Sequence, residues 1–173
     1  MLTRSKKGAK GTETIEEKIE EKLIAILRDK NMHITTAESC TGGLIASTIV
    51  DVPGASYVLD EAHVTYSNDA KMRLLKVRPD TLLEKGAVSE ETAYQMAKGA
   101  AELADSDCAI SVTGIAGPDG GTPDKPVGTV YAGFYIRGKI HVIRYNFDGD
   151  RTAVRKQTVN AVLEEMYKCL NNI

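Results

Sequence analysis

Long apolar runs are missing from this 173-residue chain. The stretch Leu44 to Val50 is broken by Ser47 and Thr48, and it is far shorter than the roughly 20 residues that span a bilayer, so no membrane-crossing segment is expected. The first ten residues are basic but no apolar core follows them, which leaves no secretory signal to expect. Cysteine is scarce: Cys40, Cys108 and Cys169 are an odd number without C-x-x-C spacing, which argues against a disulfide framework and for a reducing, cytoplasmic compartment. The histidines His33, His63 and His141 show no H-x-x-H or H-x-x-x-H spacing. A His/Cys metal site would need distant residues to converge, so neither metal nor cofactor is expected. An excess of basic charge is absent too, with 22 Lys and Arg against 24 Asp and Glu, a net charge of -2 and a pI near 6.0. General nucleic-acid binding therefore has little support, and the basic stretch Lys71, Arg73, Lys76, Arg78, without interleaved aromatics, reads as a solvated helix face.

What is present suits one ordinary globular domain, with 42% apolar and 27% charged residues. A chain this long buries roughly 70% of its unfolded surface and needs no staples. Residues 1–13, polar and carrying Arg4, Lys6, Lys7 and Lys10, read as a disordered tail, and 14–173 as a single domain. Thr14 with Glu17 predicts a capping box and a helix over Ile15 to Asp29. A strand at Ile34 to Ala37 and a short helix at Gly43 to Val50 follow. Tyr57 to Tyr66 reads as extended, and Ser67-Asn68-Asp69 caps a helix over Ala70 to Leu75. Ser89 caps the next helix, expected to bury Ala93, Met96, Ala97, Ala100 and Leu103. Cys108 to Val112 is a buried strand, Val127–Ile136 and Lys139–Phe147 form a hairpin around Arg137-Gly138, and Asp150 caps a last helix burying Val154, Val162, Met166 and Leu170. Helices interleaved with strands, plus one hairpin, imply a three-layer α/β/α fold around a mixed sheet.

Three segments do not look like scaffolding. Ala37-Glu38-Ser39-Cys40-Thr41-Gly42-Gly43 lies between a strand end and a helix start, where glycines let backbone approach a ligand and free N–H groups attract an anion or a developing oxyanion. Ser39 or Cys40 is a candidate nucleophile there, while Ser39 or Thr41 would equally serve as a plain helix cap. No Gly-Lys-Ser/Thr follows, so the loop is not a phosphate-binding Walker A loop. In Val64 to Lys71, Lys71 falls near the first turn of its helix, where the helix dipole opposes a cation. A lysine so placed favours the neutral amine that can act as general base, with Tyr66 as a proton relay. The bland alternative is a lysine in water, paired with Asp69. The loop Thr113-Gly114-Ile115-Ala116-Gly117-Pro118-Asp119-Gly120-Gly121, running on to Pro126, follows a buried strand, and ligands bind at strand carboxyl ends in open α/β sheets. Arg151 and Arg155 share one face at a helix N-terminus, a placement that an anion such as phosphate would reconcile; a surface pair with Asp150 is the alternative.

Taken with Lys125-Pro126-Val127-Gly128-Thr129 and Gly149-Asp150-Arg151, these motifs resemble the CinA C-terminal domain family, over a span from about Thr35 to the last helix. The family includes stand-alone nicotinamide-nucleotide amidases. Longer members add an N-terminal domain resembling molybdopterin-binding proteins, for which this length leaves no room. The resemblance implies a three-layer α/β fold and hydrolysis of the carboxamide of nicotinamide mononucleotide to nicotinate mononucleotide and ammonia, without metal or cofactor, by a homo-oligomer that is expected to be a dimer. It further implies Ser39 as nucleophile, Lys71 as base and Tyr66 assisting departure of ammonia, with backbone N–H groups of Cys40, Thr41, Gly42 and Gly43 around the oxyanion. Thr113, Gly114, Gly117, Arg151 and Arg155 would line the substrate, either arginine holding the 5′-phosphate. Cys40 stands as a rival nucleophile with only His63 nearby in sequence as a base. A module that binds or senses a nucleotide without turnover, linked to competence or DNA damage, is the alternative function.

Overall fold

The computed structural model describes residues 17–173. Five strands form one mixed sheet in the order β2-β1-β3-β4-β5. In chain order these are β1 (Ile34–Glu38), β2 (Leu59–Val64), β3 (Cys108–Gly114), β4 (Thr129–Ile136) and β5 (Lys139–Asn146). β1 lies parallel to both β2 and β3, while β3, β4 and β5 run antiparallel in turn. Every residue of β1 is buried, as expected of a parallel strand covered on both faces. Neither edge strand has a buried residue: β2 is mostly exposed, and β5 largely alternates exposed and half-buried positions.

The helices are α1 (Ile19–Asp29), α2 (Leu44–Val50), α3 (Asn68–Leu75), α4 (Pro79–Glu84), α5 (Glu90–Ala104) and α6 (Arg151–Asn171). α1, α2 and α6 pack together on one face over a core that includes Leu23, Leu27, Ile45, Ile110, Phe134, Val162 and Met166. α3, α4 and α5 cover the other face, where Leu75, Val77, Met96, Ala100 and Ala109 form a second core. This is the three-layer α/β/α arrangement that the alternation of elements predicts.

Ser67, Ser89 and Asp150 cap α3, α5 and α6 through side-chain oxygens that accept from Ala70, Thr92 and Ala153 N–H. The first helix differs from expectation: it begins at Ile19, with the Glu21 carboxylate accepting from Lys18 N–H. Thr14 and Ile15, like the tail, lie outside the described residues. On α5, Leu103 is half exposed, and Gly99 and Ala101 are buried in its stead. Gly99 is required by close approach, because a Cβ there would sit 1.9 Å from the Leu75 carbonyl oxygen of α3. Arg78 precedes Pro79 at the start of α4, a short helix that has no counterpart among the sequence-based expectations.

Connections from β1 and β2 leave toward opposite faces, α2 to one and α3 to the other. Between two such strands the sheet opens a crevice at the carboxyl ends, the place where open α/β sheets bind ligands.

Candidate active site

Lys71, on α3, reaches into that crevice and is only 1% exposed. Its Nζ lies 3.1 Å from Ser39 Oγ, 2.8 Å from the Thr65 carbonyl oxygen and 3.3 Å from that of Tyr66. Burial holds the amine below its ordinary pKa, opposed by the nearby Cys40 thiol. The cause therefore differs from the helix-dipole argument: loss of water around the amine dominates. Asp69 does not pair with Lys71 and instead lies 3.7 Å from Arg73. The two carbonyls can only accept, so in the neutral amine they take both N–H groups. The lone pair is then left for the Ser39 hydroxyl proton. Packing thus leaves the Lys71 amine facing one hydroxyl, that of Ser39.

The turn carrying Ser39 is organised by a residue that sequence reasoning passed over. Glu38, fully buried at the end of β1, accepts from the N–H groups of Gly43 (2.9 Å), Ile45 (3.1 Å) and Ala46 (2.9 Å), and from the Thr36 hydroxyl (3.3 Å). Its carboxylate does at the start of α2 what a Ser or Asp cap ordinarily does, so neither Ser39 nor Thr41 serves as the cap. The only sequence signal was an acid five residues ahead of a Gly-Gly helix start. Gly42 and Gly43 both take positive φ, +62° and +95°, which lets the chain curl back over the carboxylate.

That curl spends part of the expected oxyanion-binding set. Gly43 N–H goes to Glu38 and Gly42 N–H to the Ser39 carbonyl, 3.1 Å away. Among the described residues, Cys40 and Thr41 N–H have no backbone or carboxylate acceptor; both face the Cys40 sulfur. The Thr41 and Thr65 hydroxyls are buried beside them without partners among the described residues. Cys40 itself turns away into the core under α2, and burial pushes its thiol up to about 11. A thiol so placed is a poor nucleophile.

The arginines of α6 close the site from the other face. Arg155 donates to the Thr41 carbonyl at 2.7 Å, and Arg151 donates to the Gly117 carbonyl at 2.9 Å and to the Tyr66 hydroxyl at 3.0 Å. Asp150 caps α6 and pairs with neither; among the described residues, no carboxylate lies within 4 Å of either guanidinium. The phenol of Tyr66, a residue 61% exposed, thus touches Arg151, while its backbone carbonyl touches Lys71. Thr113 is buried and donates to the Ala87 carbonyl, away from the crevice. A Cβ at Gly114 would strike Val130 and one at Gly117 would strike Val127, so both glycines are packing requirements, Gly117 also offering its carbonyl to Arg151. Ser39, Lys71, Tyr66, Thr41, Gly117, Arg151 and Arg155 therefore meet, although they come from four separated segments.

Comparison with known proteins agrees with this architecture. The CinA C-terminal domain profile matches residues 16–170, which extends the likeness upstream of Thr35 through α1. A putative competence-damage inducible protein of Clostridium perfringens (strain SM101 / Type A) is 52% identical over 155 residues, covering 90% of this chain and 38% of its own length. A CinA-like protein of Kosmotoga olearia is 49% identical with the same coverage. The chain thus spans about two fifths of the curated relatives it matches. Among solved structures, a competence-damaged protein (CinA) superfamily protein from Klebsiella pneumoniae 700603 superposes with a TM-score of 0.87 at 35% identity, over 90% of this chain and 97% of that one. The competence/damage inducible protein CihA from Agrobacterium tumefaciens gives 0.84 at 44% identity, over 88% and 95%.

Proposed function

The chain belongs to the CinA C-terminal domain family, and from that premise and the geometry of its crevice we propose that it is an amidase acting on the carboxamide of nicotinamide mononucleotide. The reading is carried by one observation: a buried, water-stripped Lys71 amine 3.1 Å from the Ser39 hydroxyl. That pairing is the arrangement of a nucleophile and its base.

In the proposed reaction Ser39 Oγ adds to the carboxamide carbon while its proton passes to Lys71 Nζ. The oxyanion forms at the Cys40–Thr41 turn, where it would compete with the Cys40 sulfur for the two N–H groups. As the C–N bond breaks, Lys71 returns the proton to the departing nitrogen and ammonia leaves, with Arg151 and Tyr66 at the mouth of the site. Water then adds to the nicotinoyl ester on Ser39, again giving its proton to Lys71, and nicotinate mononucleotide departs as Ser39 regains its hydrogen. Two guanidinium groups that have no carboxylate partner among the described residues offer charge-assisted hydrogen bonds to the 5′-phosphate.

Ammonia release from nicotinamide mononucleotide by the purified chain, without added metal, tests this. Ser39→Ala and Lys71→Met, the latter keeping the volume of the buried side chain, should each lower turnover by about a hundred- to ten-thousandfold. Turnover unchanged in Lys71→Met would overturn the base assignment. A folded parent that binds the nucleotide without releasing ammonia would instead establish a sensing module.

A further inference from the structure

Far from the crevice, the fold brings together three side chains from two elements. His141 lies on β5, and Glu165 and Cys169 are one helical turn apart on α6. His141 Nε2 is 3.8 Å from Cys169 Sγ and 3.6 Å from Glu165 Oε1, and Cys169 Sγ is 3.6 Å from Glu165 Oε1. We propose that His141, Glu165 and Cys169 form a zinc site joining β5 to the C-terminal end of α6.

The separations carry the proposal. A tetrahedral zinc with bonds of about 2.3 Å to sulfur and 2.0–2.1 Å to nitrogen or oxygen holds sulfur about 3.5 Å from the other ligand atoms, and nitrogen about 3.4 Å from oxygen. The three observed edges exceed these by only a few tenths of an ångström, within reach of small side-chain rotations. One thiolate, one carboxylate and one neutral imidazole balance the charge of a divalent ion, and a mixed sulfur, nitrogen and oxygen set suits zinc rather than magnesium or calcium. The frame is firm: two ligands share a helix, and the His141 ring stacks on Phe134 at 4.9 Å and 17°. A hollow of about 450 Å³, lined by His141 and Cys169 together with Ile136, Arg137 and Lys139, leaves room for water at the fourth position. Of the three cysteines, Cys40 and Cys108 are buried and Cys169 alone is partly exposed.

The site is separate from the amidase chemistry. Arg151 and Glu165 stand fourteen positions apart on α6, and at 1.5 Å per residue this is roughly 20 Å along the helix. The ion would tie the end of α6 to the sheet edge and raise the thermal midpoint.

The test uses the full chain, stripped with a chelator under reducing conditions and titrated with Co²⁺ as a spectroscopic probe. One equivalent should produce a thiolate-to-cobalt charge-transfer band and tetrahedral visible bands, which Zn²⁺ then displaces. Cys169→Ser should abolish the charge-transfer band. His141→Ala, at an exposed position, should weaken binding by more than about tenfold, since outer-sphere partners alone are worth that much. Zn²⁺ should raise the thermal midpoint of the parent and leave both variants unmoved. No cobalt band at stoichiometric metal and micromolar protein, or a band that persists in Cys169→Ser while its circular dichroism matches the parent, would overturn the proposal and leave a hydrogen-bonded cluster only.

Discussion

Replacing Glu38 by Gln probes the support beneath the nucleophile while leaving Ser39 and Lys71 in place. One oxygen of the carboxylate takes Gly43 and Ile45 N–H, and the other takes Ala46 N–H and the Thr36 hydroxyl. An amide oriented to keep the first pair points its NH₂ at Ala46 N–H, setting donor against donor, whereas the Thr36 hydroxyl can rotate to accept. The stranded N–H costs about 1–3 kcal/mol. Loss of the negative charge at the start of α2 adds about 0.5–2 kcal/mol in this buried setting. Together the variant should lose about 1.5–5 kcal/mol, which for a domain of this size lowers the thermal midpoint by roughly 3–20 °C. Urea denaturation read by circular dichroism measures the loss directly, and ammonia release measured well below the midpoint should fall as well, because Ser39 adjoins the loosened turn. Glu38→Gln within about 0.5 kcal/mol of the parent, the range of an ordinary surface substitution, would refute the idea that this carboxylate holds the loop.

Three further outcomes follow from the same geometry. Cys40→Ala should retain ammonia release within a few-fold, and iodoacetamide should leave the parent active, since the Cys40 thiol is buried and held at about 11; rapid inactivation with label on Cys40 would return it as the nucleophile. Because burial lowers the Lys71 pKa in the folded chain relative to its unfolded value of 10.5, the unfolded state binds the extra proton between those two values. Amidase activity should therefore rise with pH through the folded value, below 10.5, and the stability of the parent relative to Lys71→Met should increase across that window and level off above 10.5; a stability difference flat in pH would contradict the shift. Arg155→Ala should raise KM for the mononucleotide by about ten- to a hundredfold through one lost charge-assisted contact, while barely altering KM for the riboside that lacks the phosphate; equal effects on both would remove Arg155 from phosphate recognition.

Much of the scaffold was legible from local chemistry. The capping residues Ser67, Ser89 and Asp150 announce three helix starts because their side chains satisfy N–H groups within a few residues, a purely local matter. Val154, Val162, Met166 and Leu170 mark the buried face of α6 by period alone. Glycine-rich segments at strand ends pointed to the crevice for the same reason: backbone geometry and dipoles are properties of neighbouring residues. Tertiary packing decided everything that depends on water being excluded or on distant segments meeting. The alanine-rich face of α5 cannot say whether Leu103 or Gly99 lies inward, because the close approach of α3 settles it. An unusual acid before Gly-Gly does not say that three amides will converge on it. Lys71 could have stood in water, as most lysines do; its burial, not its place on a helix, is what lowers its pKa. Glu165 and Cys169 share a helical period, but neither the union of Arg151 with Gly117 and Tyr66 nor the meeting of His141 with that pair has one, since each exists only because sheet order and helix layering carry distant residues to one end of the molecule or the other.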